Sequence, residues 1–307
     1  GRLNPDNFLG GDLKIDAGKA RAAIERDVAG PLRLDVHAAA RAVIDIANAK
    51  MVAALQFVSI QRGIDPRQYV LVPSGGAGPL HAVAIARALG VKTILVPPTP
   101  GLNSALGLLA TDIKHDFVRT QFTPSAALDL AMLQTVLEEM AAAGRTLLAE
   151  ERVDAPRMEI LREAEICYVG QSYPLRVRIP EDWTHLVANL ETAFHDAHRA
   201  LYGFDSPGEA TMVLNLRVTA LGRVDRPQLE RLAAGDGDPA QALKGRRTVF
   251  FAQPIDCPIY ERSRLDGGDR IEGPAIIEQM DSTTVLPAGT TLSVDAGGSL
   301  IIELLEP

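Results

Sequence analysis

Residues 69–90, YVLVPSGGAGPLHAVAIARALG, read as a strand, a glycine loop and a helix. Val70, Leu71 and Val72 give a short apolar, β-branched run, and Gly75, Gly76, Gly78 and Pro79 bend the chain. Leu80, Val83, Ala84, Ala86, Ala88 and Leu89 then recur with helical spacing. Proline at the first helical turn costs no hydrogen bond, glycine lets the backbone approach a ligand, and a helix N-terminus offers free N–H groups. The stretch therefore predicts a nucleotide cradle, against the plainer alternative of a loop that only joins strand to helix. On the first reading, Gly76→Val is expected to weaken nucleotide binding without unfolding the protein.

On the N-terminal side, Asp35 caps a long predicted helix. One stripe carries Val36, Ala40, Val43, Ala47, Met51, Ala54 and Val58, and the opposite side (Arg41, Asp45, Ala49, Val52, Gln56) is weakly polar. A helix covered on both sides is expected. Asn48 is a poor helix former inside it, and a hydrogen bond to a neighbour is preferred over a ligand contact. Residues 1–18 read as a loop with an edge strand at 13–15. On the C-terminal side, a strand over 92–96, a short helix over 104–110 and a strand over 111–120 complete an α/β layer, its ligand edge at the strand C-termini.

Beyond Thr123-Pro124-Ser125 the pattern becomes α+β: a helix over 128–152, strands over 159–169 and 173–179, a helix over 186–201 and a strand over 212–221. Residues 225–245 read as a polar linker, and from Thr248 only short strands between Gly and Pro turns remain. The expected domains are 1–122, 123–224 and 225–307.

The composition is that of a globular protein, with 307 residues, 47% hydrophobic and 23% charged. A net charge of −8 disfavours nucleic acid and anionic membrane surfaces as partners but leaves a small anionic ligand open. Cys167 and Cys257 fit neither a disulfide framework nor a zinc motif, and buried thiols are expected. No apolar run is read as approaching the roughly 20 residues of a membrane span, and no leader is read at Gly1, so a cytoplasmic protein with a removed or processed start is expected.

A family likeness runs through nearly the whole chain in order. GRLNPDNFLGG (1–11), IDIANAKM (44–51), SIQRGIDPR (59–67), SGGAGPLHA (74–82), PPTPGLNSALGLLATDIKHDFVRT (97–120), YVGQSYPLRV (168–177), LYGFD (201–205), NLRVTALG (215–222) and GPAIIEQMDSTTVLPAG (273–289) resemble the hydantoinase A/5-oxoprolinase family, which includes N-methylhydantoinases and the acetone carboxylase β subunit. The resemblance implies the second half of an actin-like, sugar-kinase-like ATPase fold, followed by the α+β region and a β-rich C-terminal domain. It places the adenosine loop on Gly75, Gly76, Gly78 and Pro79, and implies ATP with Mg²⁺ or another divalent cation. The phosphate loop would lie in an earlier part of a longer polypeptide, leaving these residues inactive alone. The implied chemistry is ring-opening hydrolysis of a cyclic amide, or carboxylation of a ketone, with a hydantoinase B-type partner subunit in an oligomeric assembly. A third reading is a docking module without turnover. The chain departs from the family pattern at Gln56, Gln61, Pro73-Ser74 and Asn103.

The remaining candidates are weaker. His81, in the first turn of the loop-derived helix, is a possible substrate or metal contact whose pKa the helix dipole would lower. Asn103 and Ser104 could donate to a ligand, or simply cap a helix. Asp112, His115 and Asp116 alternate on a strand, so one shared metal site is not expected. His195 and His198 are read as a solvated helix face, and Asp281-Ser282-Thr283-Thr284 as an oxygen-rich strand whose hydroxyls pair across it. No metal-ligating set is assigned.

Overall fold

The computed structural model describes residues 1–228 and 231–305. The helices of eight or more residues are α1 (Ala17–Ile24), α2 (Val36–Val58), α3 (Gly78–Leu89), α4 (Asn103–Ala110), α5 (Leu130–Glu150) and α6 (Leu186–Tyr202). The first strands are β1 (Thr93–Val96), β2 (Ile113–Pro124), β3 (Met158–Tyr168), β4 (Leu175–Arg178) and β5 (Thr211–Gly222). The C-terminal region adds β6 (Leu243–Phe250), β7 (Pro254–Glu261), β8 (Arg270–Glu272), β9 (Ala275–Glu278), β10 (Thr283–Leu286), β11 (Thr290–Val294) and β12 (Leu300–Leu304).

The chain forms two compact units, residues 1–108 with 228–307 and residues 109–227. The first contains two four-stranded sheets, ordered β1-β12-β11-β8 and β10-β9-β7-β6. Ile94 and Val96 are buried while Thr93 and Leu95 are less so, and β11 and β12 alternate similarly; this period of two turns one face of the sheet to the core. Ala82, Val83, Ile85, Ala86 and Leu89 of α3 pack with Ile94 and Val96 of β1 and with Ile277, Leu286, Leu292 and Ile302 from the C-terminal strands. The tail expected as a separate domain thus shares a core with the glycine-loop helix.

Several expectations change here. The strand at 70–72 shrinks to one parallel bridge, Leu71 to Ile94, closed by Leu71 N–H to Thr93 O (3.1 Å) and Leu95 N–H to Leu71 O (2.9 Å). A helical turn at Pro66–Gln68 before it and Pro73 after it leave little room for a ladder. The α/β layer is not continuous either: β1 pairs antiparallel with β12, and β2 joins the sheet of the second unit. Leu13–Ile15 forms no strand; Ile15 N–H bonds Pro5 O, and α1 follows, capped by Asp16. The polar linker already ends at β6, and its residues 229 and 230 lie outside the described residues.

α2 is capped as expected, Asp35 accepting from the N–H groups of His37 and Ala38, a device worth about 1 kcal/mol. It is not covered on both sides. Met51, Val52 and Leu55 pack on the core, whereas Val43, Ile46 and Phe57 are exposed. Residues 36–62 are long and apolar enough, by length and composition, to cross a membrane, which corrects the reading that no segment approaches that length. α4 likewise buries no residue, and Leu108 and Leu109 are exposed.

The second unit is an antiparallel sheet ordered β2-β5-β3-β4, with α5 and α6 packed on it. Leu133, Leu137 and Met140 of α5 meet Ile166, Leu216 and Val218 of the sheet, and Leu186, Leu190 and Phe194 of α6 complete the core. Gly144 lets α5 approach the sheet, since a Cβ there would lie 2.6 Å from Ala220 Cβ. Gly144→Val is therefore expected to destabilise this unit by roughly 1–3 kcal/mol through overpacking, read as a lower unfolding midpoint. Both cysteines are buried, and burial pushes their thiols above the ordinary range.

Candidate functional site

The glycine loop is held between two segments distant in sequence. Gly75 N–H donates to Pro100 O (2.7 Å), Asn103 Nδ2 donates to Ser74 Oγ (3.0 Å), and Gly78 N–H closes the turn onto Gly75 O (3.1 Å). Two departures from the family pattern, at Ser74 and Asn103, thus meet in one hydrogen bond. On the other side, Gly101 N–H donates to Asp281 Oδ2 (2.8 Å). A Cβ on Gly76 would lie 2.7 Å from the main-chain oxygen of Asp281, and one on Gly101 would lie 2.6 Å from Oδ2 of that residue. Both glycines are therefore required by close packing against Asp281. Gly75 differs: its φ is +85°, which favours glycine, and no atom lies within 4 Å of where its Cβ would stand. Pro79 is buried in the first turn of α3, where it has packing value of its own.

Gly76 and Ala77 border a cavity of about 230 Å³, with Phe8, Leu9 and Met280 as apolar walls and Asn4, Gln279 and Ser282 as polar lining. Gln279 Nε2 donates to Pro98 O (2.6 Å), tying this wall to the end of β1. Glu278, also lining the cavity, has a side chain only 2% exposed; it pairs with Lys244 (2.8 Å) and Arg247 (3.4 Å). Burial works against the Lys244 ammonium, but the hydrogen bonds it donates to Glu278 and Glu261 outweigh it and hold its pKa above the ordinary value. The charge beneath the cavity is thereby balanced. The space and its mixed lining fit a heterocycle with donor and acceptor edges, beside the glycine loop at Gly76 and Ala77.

A larger cavity, about 790 Å³ and mostly apolar in its lining, adjoins Leu80 and His81 on α3. His81 Nδ1 lies 2.8 Å from Asn48 Oδ1, so the asparagine inside α2 bonds a neighbour as expected. The His81 pKa is lowered from its ordinary value by burial first and by Arg2 second. The direction is the one expected.

Ser104 is exposed on α4 and is not brought to the loop as Asn103 is. Asp112, His115 and Asp116 have separate partners: Arg223 (2.6 Å), Glu151 (2.9 Å) and Thr219 (2.6 Å). Among the described residues no group of three or more His, Cys, Asp or Glu is placed to hold a metal ion. The solvated-face reading of His195 and His198 is corrected. His198 is 3% exposed, with Nδ1 2.7 Å from Phe204 O, while His195 bonds the Tyr168 hydroxyl (2.9 Å).

Sequence reasoning missed Asp281 as the support of the glycine loop, Arg262, whose Nη2 donates to the carbonyls of Val96, Pro97 and Gly298, and the Glu278 ion pairs. A charged residue closing the apolar run AIIE (275–278) was a usable sign of a buried, paired carboxylate. Nothing local marked Asp281.

Two family models match the chain: Hydantoinase/oxoprolinase over residues 1–117 and Hydantoinase/oxoprolinase C-terminal domain over residues 125–303. Caprolactamase subunit alpha of Pseudomonas jessenii is 31% identical over 303 residues, covering 96% of this chain and 44% of the relative. A nucleotide-free acetone carboxylase structure, from work on ATP-dependent acetone carboxylation, superposes with a TM-score of 0.83 at 26% identity, over 99% of this chain and 45% of that one. The ATP-dependent caprolactamase structure from Pseudomonas jessenii gives 0.76 at 29% identity, with the same coverage. The chain thus spans less than half the length of these relatives. With more than half of its residues matched by the C-terminal-domain model alone, the chain belongs to the hydantoinase/oxoprolinase family of enzymes.

Proposed function

We propose that this chain supplies the adenosine side of an ATP site in an enzyme that opens a cyclic amide by hydrolysis. The observation that carries the reading is the glycine loop, which borders the 230 Å³ cavity at Gly76 and Ala77. Its likeness to an ATP-dependent caprolactamase supports the ring amide as substrate. Gly75, Gly76 and Gly78, with Pro79 in the first turn of α3, would bring main chain close to the nucleotide. Phe8 and Met280 would cover the faces of the base, and Gln279 and Ser282 would meet its edges. Bound ATP supplies the phosphoryl group that turns an inert amide carbonyl into an electrophile.

The actin-like arrangement, a phosphate loop and divalent-cation site in an earlier part of the polypeptide, and a hydantoinase B-type partner belong to the same proposal. On it, the present residues alone release no ADP. The ketone carboxylase reading stays as the second, because the acetone carboxylase structure has the higher TM-score of the two.

The test is ADP release by the full-length protein with its B-type partner, offered lactams, 5-oxoproline, hydantoins, or acetone with bicarbonate. Stimulation by a cyclic amide is the expected result; stimulation by ketone plus bicarbonate only would overturn it in favour of the second reading. Gly76→Val tests the loop. Because its side chain would press on Asp281 main chain, loop stability and nucleotide affinity are expected to fall together, the affinity by about tenfold or more. This differs from loss of affinity alone, and nucleotide titration with hydrogen exchange at residues 74–80 checks it.

A further inference from the structure

The larger cavity contains one side chain whose hydrogen-bonding role is fixed by a neighbour. Asn48 is 9% exposed inside α2, and its Oδ1, which can only accept, lies 2.8 Å from His81 Nδ1. Nδ1 therefore carries the imidazole proton and Nε2 is left as an acceptor. Among the described residues the ring has no second hydrogen-bond partner. His81 lines the 790 Å³ cavity together with Ile15, Ala38, Ile44, Leu80 and Phe250, a surface suited to the methylenes of a saturated ring. We propose that this cavity receives the cyclic amide and that His81 Nε2 accepts a hydrogen bond from the ring N–H, selecting substrates with an unsubstituted lactam nitrogen. The inference rests on the cyclic-amide reading above.

Burial and Arg2 favour the neutral ring that this role requires. Arg2, Asp16, Asp35, His37 and Arg41 line this cavity with His81, and Arg2, Arg41, Asp45 and Arg87 of α3 line the adjoining cavity that Asn48 also borders; these are the titratable and charged groups around the ring. Acid should abolish the contact, because protonation turns Nε2 from acceptor into donor.

The experiment uses the full-length protein with its partner subunit and compares a lactam with its N-methyl analogue, by kcat/KM for ADP release and by nucleotide affinity. The wild type is expected to prefer the N–H lactam by roughly 10- to 100-fold, the cost of leaving a buried acceptor unpaired. His81→Phe should erase that preference through KM, with nucleotide affinity unchanged. Asn48→Asp, which keeps the acceptor but adds charge, should retain the preference and move the acid limb of kcat/KM to higher pH. Equal use of both lactams by the wild type, or a preference that survives His81→Phe, overturns the inference while leaving the hydrolase reading intact. If no lactam stimulates the wild type, both fall.

Discussion

Replacing Arg262 with methionine is expected to destabilise the first unit by roughly 3–5 kcal/mol, because it strips the donor from three carbonyls at once. Arg262 is 8% exposed, and its Nη2 donates to Val96 O (3.3 Å), Pro97 O (2.8 Å) and Gly298 O (2.7 Å). Burial lowers the guanidinium pKa to about 10, with Asp281 and Asp295 opposing that shift, so the group stays charged at neutral pH. Methionine fills similar space but leaves those acceptors without their donor. Since Pro97 and Pro98 lead from β1 into the turn that straps the glycine loop, the effect should reach the loop. Faster amide exchange in β1, β12 and residues 74–80 is the expected signature, with Arg262→Lys intermediate. Unchanged exchange would show that the carbonyls find other donors.

The second large effect belongs to the other unit. Phe194→Ala is expected to cost about 3–5 kcal/mol and to lower that unit's unfolding midpoint by about 10–20 °C. Phe194 is fully buried on α6 and meets Tyr168 edge-on, with ring centroids 4.8 Å apart. Tyr168 in turn accepts from Ser206 N–H (2.7 Å) and bonds His195 (2.9 Å), and His198 packs against Phe194, Tyr202 and Phe204. Removing the ring leaves a cavity beneath a polar network that cannot easily collapse into it. Scanning calorimetry of the chain would resolve the shift, and a loss below about 1 kcal/mol would mean the cluster repacks.

What was legible in the sequence was local. Asp35 before Val36, the Leu133–Leu137–Met140 spacing of α5 and the Leu186–Leu190–Phe194 spacing of α6 each reveal an element from a few neighbouring residues. The glycine loop and the start of α3 at Gly78 are of the same kind. Pairing between distant segments was not legible. Leu71 looked like part of a strand because its neighbours are β-branched, yet only Leu71 bridges Ile94, and Val70 and Val72 are left exposed. β1 looked like one strand of a parallel layer, although its antiparallel partner β12 comes from the chain's end. His198 looked solvated because no carboxylate or cysteine pattern made its i, i+3 spacing with His195 a metal site, while its own ring is packed against Phe204. At the candidate site the glycines were readable from their spacing, but Asp281, which two of them pack against, requires a fold to bring it there.

The measurement that tests the central proposal most directly is hydrogen exchange of the full-length protein with and without a non-hydrolysable ATP analogue. Protection concentrated at residues 75–80 and 279–282 is the predicted result, since the glycine loop and the Asp281 segment together border the 230 Å³ cavity. Protection elsewhere in the chain, with these two segments unchanged, would contradict the placement of the nucleotide.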